Sequence, residues 1–88
     1  MNYLKFDLGT LDSNRIVEVT LKGSAANVHL LDSENLFNYV RGHDFSGIGG
    51  LTKQSPITFS IPHHDHWYVV VDMKGYKGTP PQTSVKLR

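Results

Sequence analysis

The sequence predicts an all-β fold, a small antiparallel β-sandwich or partly open barrel of about six strands with at most one short helix. Three observations predict it. Apolar and polar residues alternate with period two along most of the chain, as half-buried strands require. Turn residues interrupt that alternation at roughly eight-to-twelve-residue spacing. No helix long enough for a parallel crossover, about 10 residues or more, separates consecutive strands, which argues against a parallel α/β sheet.

The first segment places Leu4, Phe6 and Leu8 on one face and Tyr3, Lys5 and Asp7 on the other. Gly9 to Asn14 is a turn-rich connection. The second segment sets Val17, Val19 and Leu21 against Glu18 and Thr20, and Lys22-Gly23-Ser24 reads as a turn. In the third, Ala26, Val28 and Leu30 face one way and Asn27 and His29 the other. Asp32 to Gly42 breaks the pattern. Asp32 or Ser33 can cap a short helix, Leu36 and Val40 lie one turn apart, and Gly42 can end it. His43 to Ser55 reads as a loop with room for a short hairpin pairing.

Pro56 opens the next strand, with Ile57, Phe59 and Ile61 toward the core, and Pro62 closes it. His66 to Met73 is the most hydrophobic segment. Trp67, Val69, Val71 and Met73 share one face and Tyr68 and Val70 the other, the mark of a central strand buried on both sides. Lys74 to Pro81 is a long turn, and Thr83, Val85 and Leu87 align on a final strand.

The chain has 88 residues, so a single domain over residues 1–88 is expected, either free-standing or a module of a longer protein. One modest core fits this length, while a second lobe closing over a substrate does not. The absence of cysteine removes disulfides, thiolate metal sites and cysteine nucleophiles together. A net charge of +1 supplies no field for nucleic acid or an acidic membrane, so neither is an expected partner. The first residues carry no apolar signal-peptide core. The longest apolar run, Trp67 to Val71, is far short of the ~20 residues that span a bilayer. The expected location is the cytoplasm.

Several pieces in order resemble one bacterial family. They are Asn27-Val28-His29-Leu30-Leu31-Asp32, then Asn35, Tyr39 and Gly42, then Gly49-Gly50 and the strand from Ser55-Pro56 to Pro62. His66-Trp67-Tyr68-Val69-Val70-Val71-Asp72, Gly75 and Ser84-Val85 complete the set. This order is similar to the DUF1883 domain from about Leu4 to Leu87, most specifically in the block from the proline to Asp72. The resemblance implies a compact β-rich domain with no assigned activity. Some similar domains are joined to a TIR domain, which implies an input or assembly module of a signalling or defence protein. His63 and His64 depart from the family pattern, where a small or glycine-rich turn is expected, and so does Lys74, where glycine is favoured. The resemblance carries over no catalytic residues.

The loudest chemical signal is His63-His64-Asp65-His66, since imidazole and carboxylate are ligands for zinc, nickel or copper. Alternation at the start of a strand would send His64 and His66 to one side. The spacing matches no structural zinc motif, and the competing reading is a polar, exposed turn before a central strand. No cofactor is expected. For a hydrolytic triad, His43, Asp44 and Ser46 are neighbours and His66 lies near Asp72, but no nucleophile elbow is present. Gly47-Ile48-Gly49-Gly50 lacks the lysine position of a phosphate loop, so its glycines are read as positive-φ turn residues.

Aromatic residues offer a recognition surface, because Trp and Tyr bury large areas with few rotors. Trp67 alternates in phase with Val69 and belongs to the core. Tyr39, Phe45, Tyr68 and Tyr76 are the candidate ligand- or partner-binding residues. Lys74, Lys77, Lys86 and Arg88 can gather at one end, where edge-strand lysines are commonly only solvated.

The expected function is therefore a non-catalytic β module that binds a protein partner or self-associates. Its recognition surfaces would be the connections Asp32–Ser55 and Lys74–Pro81, since loops on a rigid scaffold carry most binding chemistry. Two alternatives stand beside it. One is a small-molecule or carbohydrate-binding domain, and the other a minimal metal-dependent hydrolase resting on the histidine run.

Overall fold

A computed structural model describes residues 3–88. The chain runs β1 (Tyr3–Leu11), β2 (Ile16–Lys22), β3 (Ala26–Asp32), α1 (Ser33–Val40), β4 (Ile48–Thr52), β5 (Ile57–Ser60), β6 (Asp65–Asp72) and β7 (Gln82–Leu87). A four-stranded sheet in the order β1-β6-β3-β4 packs on a three-stranded sheet in the order β5-β2-β7, with every pairing antiparallel. The expected sandwich is the observed one, with seven strands rather than about six and no closed barrel among the described residues. Among the described residues no helix is long and apolar enough to cross a membrane.

Alternation explains the core. Val17, Val19 and Leu21 from β2 meet Ala26, Val28 and Leu30 from β3 and Trp67, Val69 and Val71 from β6, with Leu11 and Ile61 closing the cluster. In β1 the alternation alone does not suffice. A bulge between Asp7 and Gly9 shifts the register against β6, and Gly9 adopts φ +76° while its N–H donates to Asp7 Oδ1 at 2.9 Å. The extra residue reverses the facing of everything after it. Phe6, Leu8 and Leu11 can therefore all reach the core, although eleven is out of phase with six and eight. Leu4 lies on that face, opposite Val71, but is left exposed.

The outer face of the four-stranded sheet carries a second, smaller cluster. Leu31 and Val70 are fully buried beneath Tyr39, with Leu36 and Tyr3 against them. As a result β6 is apolar on both sides, as its sequence predicts for a central strand. The helix that covers this face is capped by Asp32, whose Oδ1 accepts from the Asn35 N–H at 3.0 Å. It ends where Gly42 turns left-handed at φ +75° and donates to the Tyr39 carbonyl. Leu36 and Tyr39, three residues apart, face the sheet, whereas Val40 points outward.

The segment read as a loop contains an edge strand, β4. Gly49 and Gly50 do take positive φ, but within a strand rather than a turn. A Cβ at Gly49 would lie 2.1 Å from the Val28 carbonyl oxygen, and one at Gly47 would lie 2.6 Å from Leu31 Cδ2. These two glycines let the chain come down onto β3 at a distance no larger residue permits.

Candidate functional site

A cleft of about 490 Å³ opens between the end of α1, the connection to β4, and the outer face of β3 and β6. Alternation builds its floor. Asn27 and His29 project outward from β3 because Ala26, Val28 and Leu30 project inward. Asn27 stands opposite Asp72, the last residue of β6. Tyr39 descends from α1 as a wall, and Phe45, residues 42–44 and Lys74 complete the lining.

Asp72 organises this floor. It is 1% exposed, and a buried carboxylate needs donors to stay ionised. Its Oδ1 accepts from Asn27 Nδ2 at 2.8 Å and from the Lys74 N–H at 3.0 Å, and its Oδ2 accepts from the Tyr39 hydroxyl at 2.5 Å. His29 Nε2 lies 3.6 Å from Oδ2. Burial pushes the carboxyl up, but the hydrogen bonds from Tyr39, Asn27 and Lys74, with the nearby imidazole, outweigh it and hold it below its ordinary value. Burial, and then the charge it donates to, raise the Tyr39 phenol far above its ordinary range. Burial lowers His29 despite Asp72, so its imidazole is neutral at pH 7.

Three rings bracket the cleft. Phe45 meets His29 and Tyr39 edge-on with centroids 5.4 and 5.2 Å away, and Tyr39 meets Tyr3 the same way at 5.4 Å. The rim is tied to the helix where the Ser46 N–H donates to Asn35 Oδ1 at 2.8 Å. The cleft thus offers an apolar ring edge, a neutral imidazole and an amide, with Lys74 in its lining, over an ionised but fully partnered carboxylate.

Of the aromatic candidates, Tyr39 and Phe45 come together here. Tyr39 does so as a buried wall, 4% exposed, rather than as surface. Tyr68 lies elsewhere on the outer sheet face, stacked on His66 at 4.8 Å, and Tyr76 is exposed in the β6–β7 turn. Asn27 and His29 escaped the sequence reading as site residues, and Asp72 entered it only as a triad neighbour of His66. Their signal was modest: polar residues in outward phase on two strands that are otherwise hydrophobic.

The histidine run is divided among separate carboxylates. His64 Nδ1 lies 2.5 Å from Asp12 Oδ1 in the β1–β2 turn, and His66 Nε2 lies 2.5 Å from Asp7 Oδ1 on β1. The Gly9 N–H first, and His66 next, lower the Asp7 carboxyl. His63 Nε2 stands 3.7 Å from both Asp32 Oδ2 and Asp65 Oδ2. His64 and His66 therefore do not share a ligand position. His66 and Asp72 sit at opposite ends of β6 and bond to different residues. Of the basic residues near the C-terminus, Arg88 pairs with Glu18 on β2.

A family model described as "Domain of unknown function (DUF1883)" matches residues 1–88. No curated protein and no solved structure matches the chain.

Proposed function

The chain belongs to the DUF1883 family, and from that premise and the geometry of the cleft we propose a non-catalytic recognition module that binds a small polar ligand between α1 and the outer sheet face. The observation that carries this reading is the mixed lining. Phe45 supplies an apolar edge beside Asn27, His29, His43, Asp44 and Lys74, the combination of apolar wall and few placed polar groups typical of ligand pockets. The floor is pre-formed, since Asp72 fixes Asn27, Tyr39 and the Lys74 backbone before any ligand arrives. Pre-organisation of this kind reduces the ordering cost of binding.

Binding rather than catalysis fits the state of the groups present. The fully buried Asp72 carboxylate is engaged by three donors, and the neighbouring phenol is held protonated. Joined to an effector domain, as the family resemblance implies, such a module would act as the input that reports ligand occupancy. The cleft favours a small ligand over the flat surface a protein partner needs.

A thermal-shift panel of nucleotides, monosaccharides, amino acids and dicarboxylates tests the reading. A ligand that raises Tm in the native chain, and no longer does so in Phe45→Ala, supports it. Stabilisation that survives both Phe45→Ala and Lys74→Ala would place binding elsewhere.

A further inference from the structure

We propose that Asp32, His63 and Asp65 form a site for one divalent first-row transition metal ion, separate from the cleft and independent of its function. The three ligand atoms lie within 4.8 Å of one another. His63 Nε2 is 3.7 Å from each carboxylate oxygen, beyond hydrogen-bonding distance. A tetrahedral ion about 2.0–2.2 Å from each ligand sets them roughly 3.3–3.6 Å apart, close to the His63 distances, and the two carboxylates, within 4.8 Å of each other, would draw together on the ion. Two hard oxygens and one imidazole suit zinc, manganese, iron or nickel.

Each ligand is oriented from outside the triad. Asp32 Oδ1 accepts from the Asn35 N–H at 3.0 Å and from Asn35 Nδ2 at 2.9 Å, which leaves Oδ2 facing His63. Asp65 Oδ1 accepts from the His66 N–H at 2.6 Å, which leaves its Oδ2 facing the same nitrogen. His63 is fixed by Trp67, whose indole N–H donates to the His63 carbonyl at 3.0 Å while its ring meets the imidazole at 5.0 Å. Such outer contacts orient metal ligands and raise affinity. Asp32 and His63 also line a recess of about 220 Å³ with Asn35, Ser46, Gly47 and Trp67. An ion held here keeps room for water or an added ligand.

Trp67 is the only tryptophan in the chain, and its contact with His63 makes it a built-in reporter. The test titrates untagged full-length protein with Ni²⁺ while reading tryptophan quenching, with Zn²⁺ heat of binding in parallel. One-to-one saturable binding is expected. His63→Gln, which keeps the backbone carbonyl that Trp67 bonds, and Asp65→Asn should each weaken it by at least ~10-fold. His64→Gln and His66→Gln should change it less than about twofold. Circular dichroism of each variant checks the fold. No saturable binding of either ion, or equal losses in all four variants, would overturn the site in favour of a non-specific histidine tract.

Discussion

The Tyr39 hydroxyl donates a 2.5 Å hydrogen bond to Asp72 Oδ2, joining α1 to the central strand β6 beneath the cleft. The bond spans 33 residues of sequence and does two things at once. It helps keep a buried carboxylate ionised, and it anchors the short helix that forms one wall of the site.

Removing that hydroxyl leaves a buried anion short of a donor. Tyr39→Phe should cost about 1.5–3 kcal/mol, the worth of a hydrogen bond to a charged group. In a domain this small, each kcal/mol lowers Tm by roughly 4–8 °C. Val40→Ala, one position along but exposed, should stay within about 0.5 kcal/mol. Thermal denaturation of the two variants checks the contrast.

Stability should form a plateau from about pH 6.5 to 10. His29 is lowered below its ordinary value of 6.5, so as pH falls through 6.5 the unfolded chain takes up the proton first and stability is lost. Asp72 is lowered below 3.8, and a second loss begins as pH falls past that value, when the unfolded carboxylate protonates first. Tyr39 is raised above 10.0, so rising pH ionises the unfolded phenol first and stability falls there too. His29→Gln should erase the step that starts near 6.5 and keep the one near 3.8. Urea midpoints measured across pH for both proteins read this directly.

Gly49 should be the least replaceable glycine. Its φ is +116° and an added Cβ would meet the Val28 carbonyl oxygen at 2.1 Å. Gly49→Ala should cost about 1–3 kcal/mol from backbone conformation alone, and the clash adds to it. Gly50→Ala meets nothing within 4 Å and should cost less. Hydrogen exchange should show β4 amides opening faster in Gly49→Ala while β2 and β6 stay protected.

Leucines four and thirty, both on the inward side of their strands, test how burial differs along the sandwich. Leu30 is fully buried, and Leu30→Ala should cost about 2–5 kcal/mol. Leu4 is 37% exposed, and Leu4→Ala should cost well under that. Equal losses on denaturant unfolding would contradict the described difference in burial between the two leucines.

Local periodicity made most of the fold legible. Alternation marked β2, β3, β5 and β6, and the two-faced hydrophobicity of residues 67–71 identified the central strand. It gave β4 only as room for a short pairing inside a loop, because a glycine-rich segment carries no alternation and becomes a strand only through close approach to β3. It ended β1 too early, placing Leu11 in a turn, because a one-residue bulge lets the strand continue with reversed facing and leaves no compositional mark beyond Gly9. The cleft was half legible. Tyr39 and Phe45 stood out as aromatics, but the meeting of Tyr39, Asn27 and Asp72 depends on where a helix lands on a sheet. The same limit separated the histidines: one run of adjacent residues reaches carboxylates on β1, in the β1–β2 turn and at the end of β3.

The central claim is that the cleft beneath Tyr39 and Phe45 is where this module recognises its ligand. Amide chemical-shift mapping with a library of small polar fragments tests it most directly. The predicted result is saturable shifts concentrated at Asn27, His29, residues 42–45 and Lys74, with β2 and β7 unmoved. Fragments that cluster on the β5-β2-β7 sheet, or none that perturb the cleft, would contradict it.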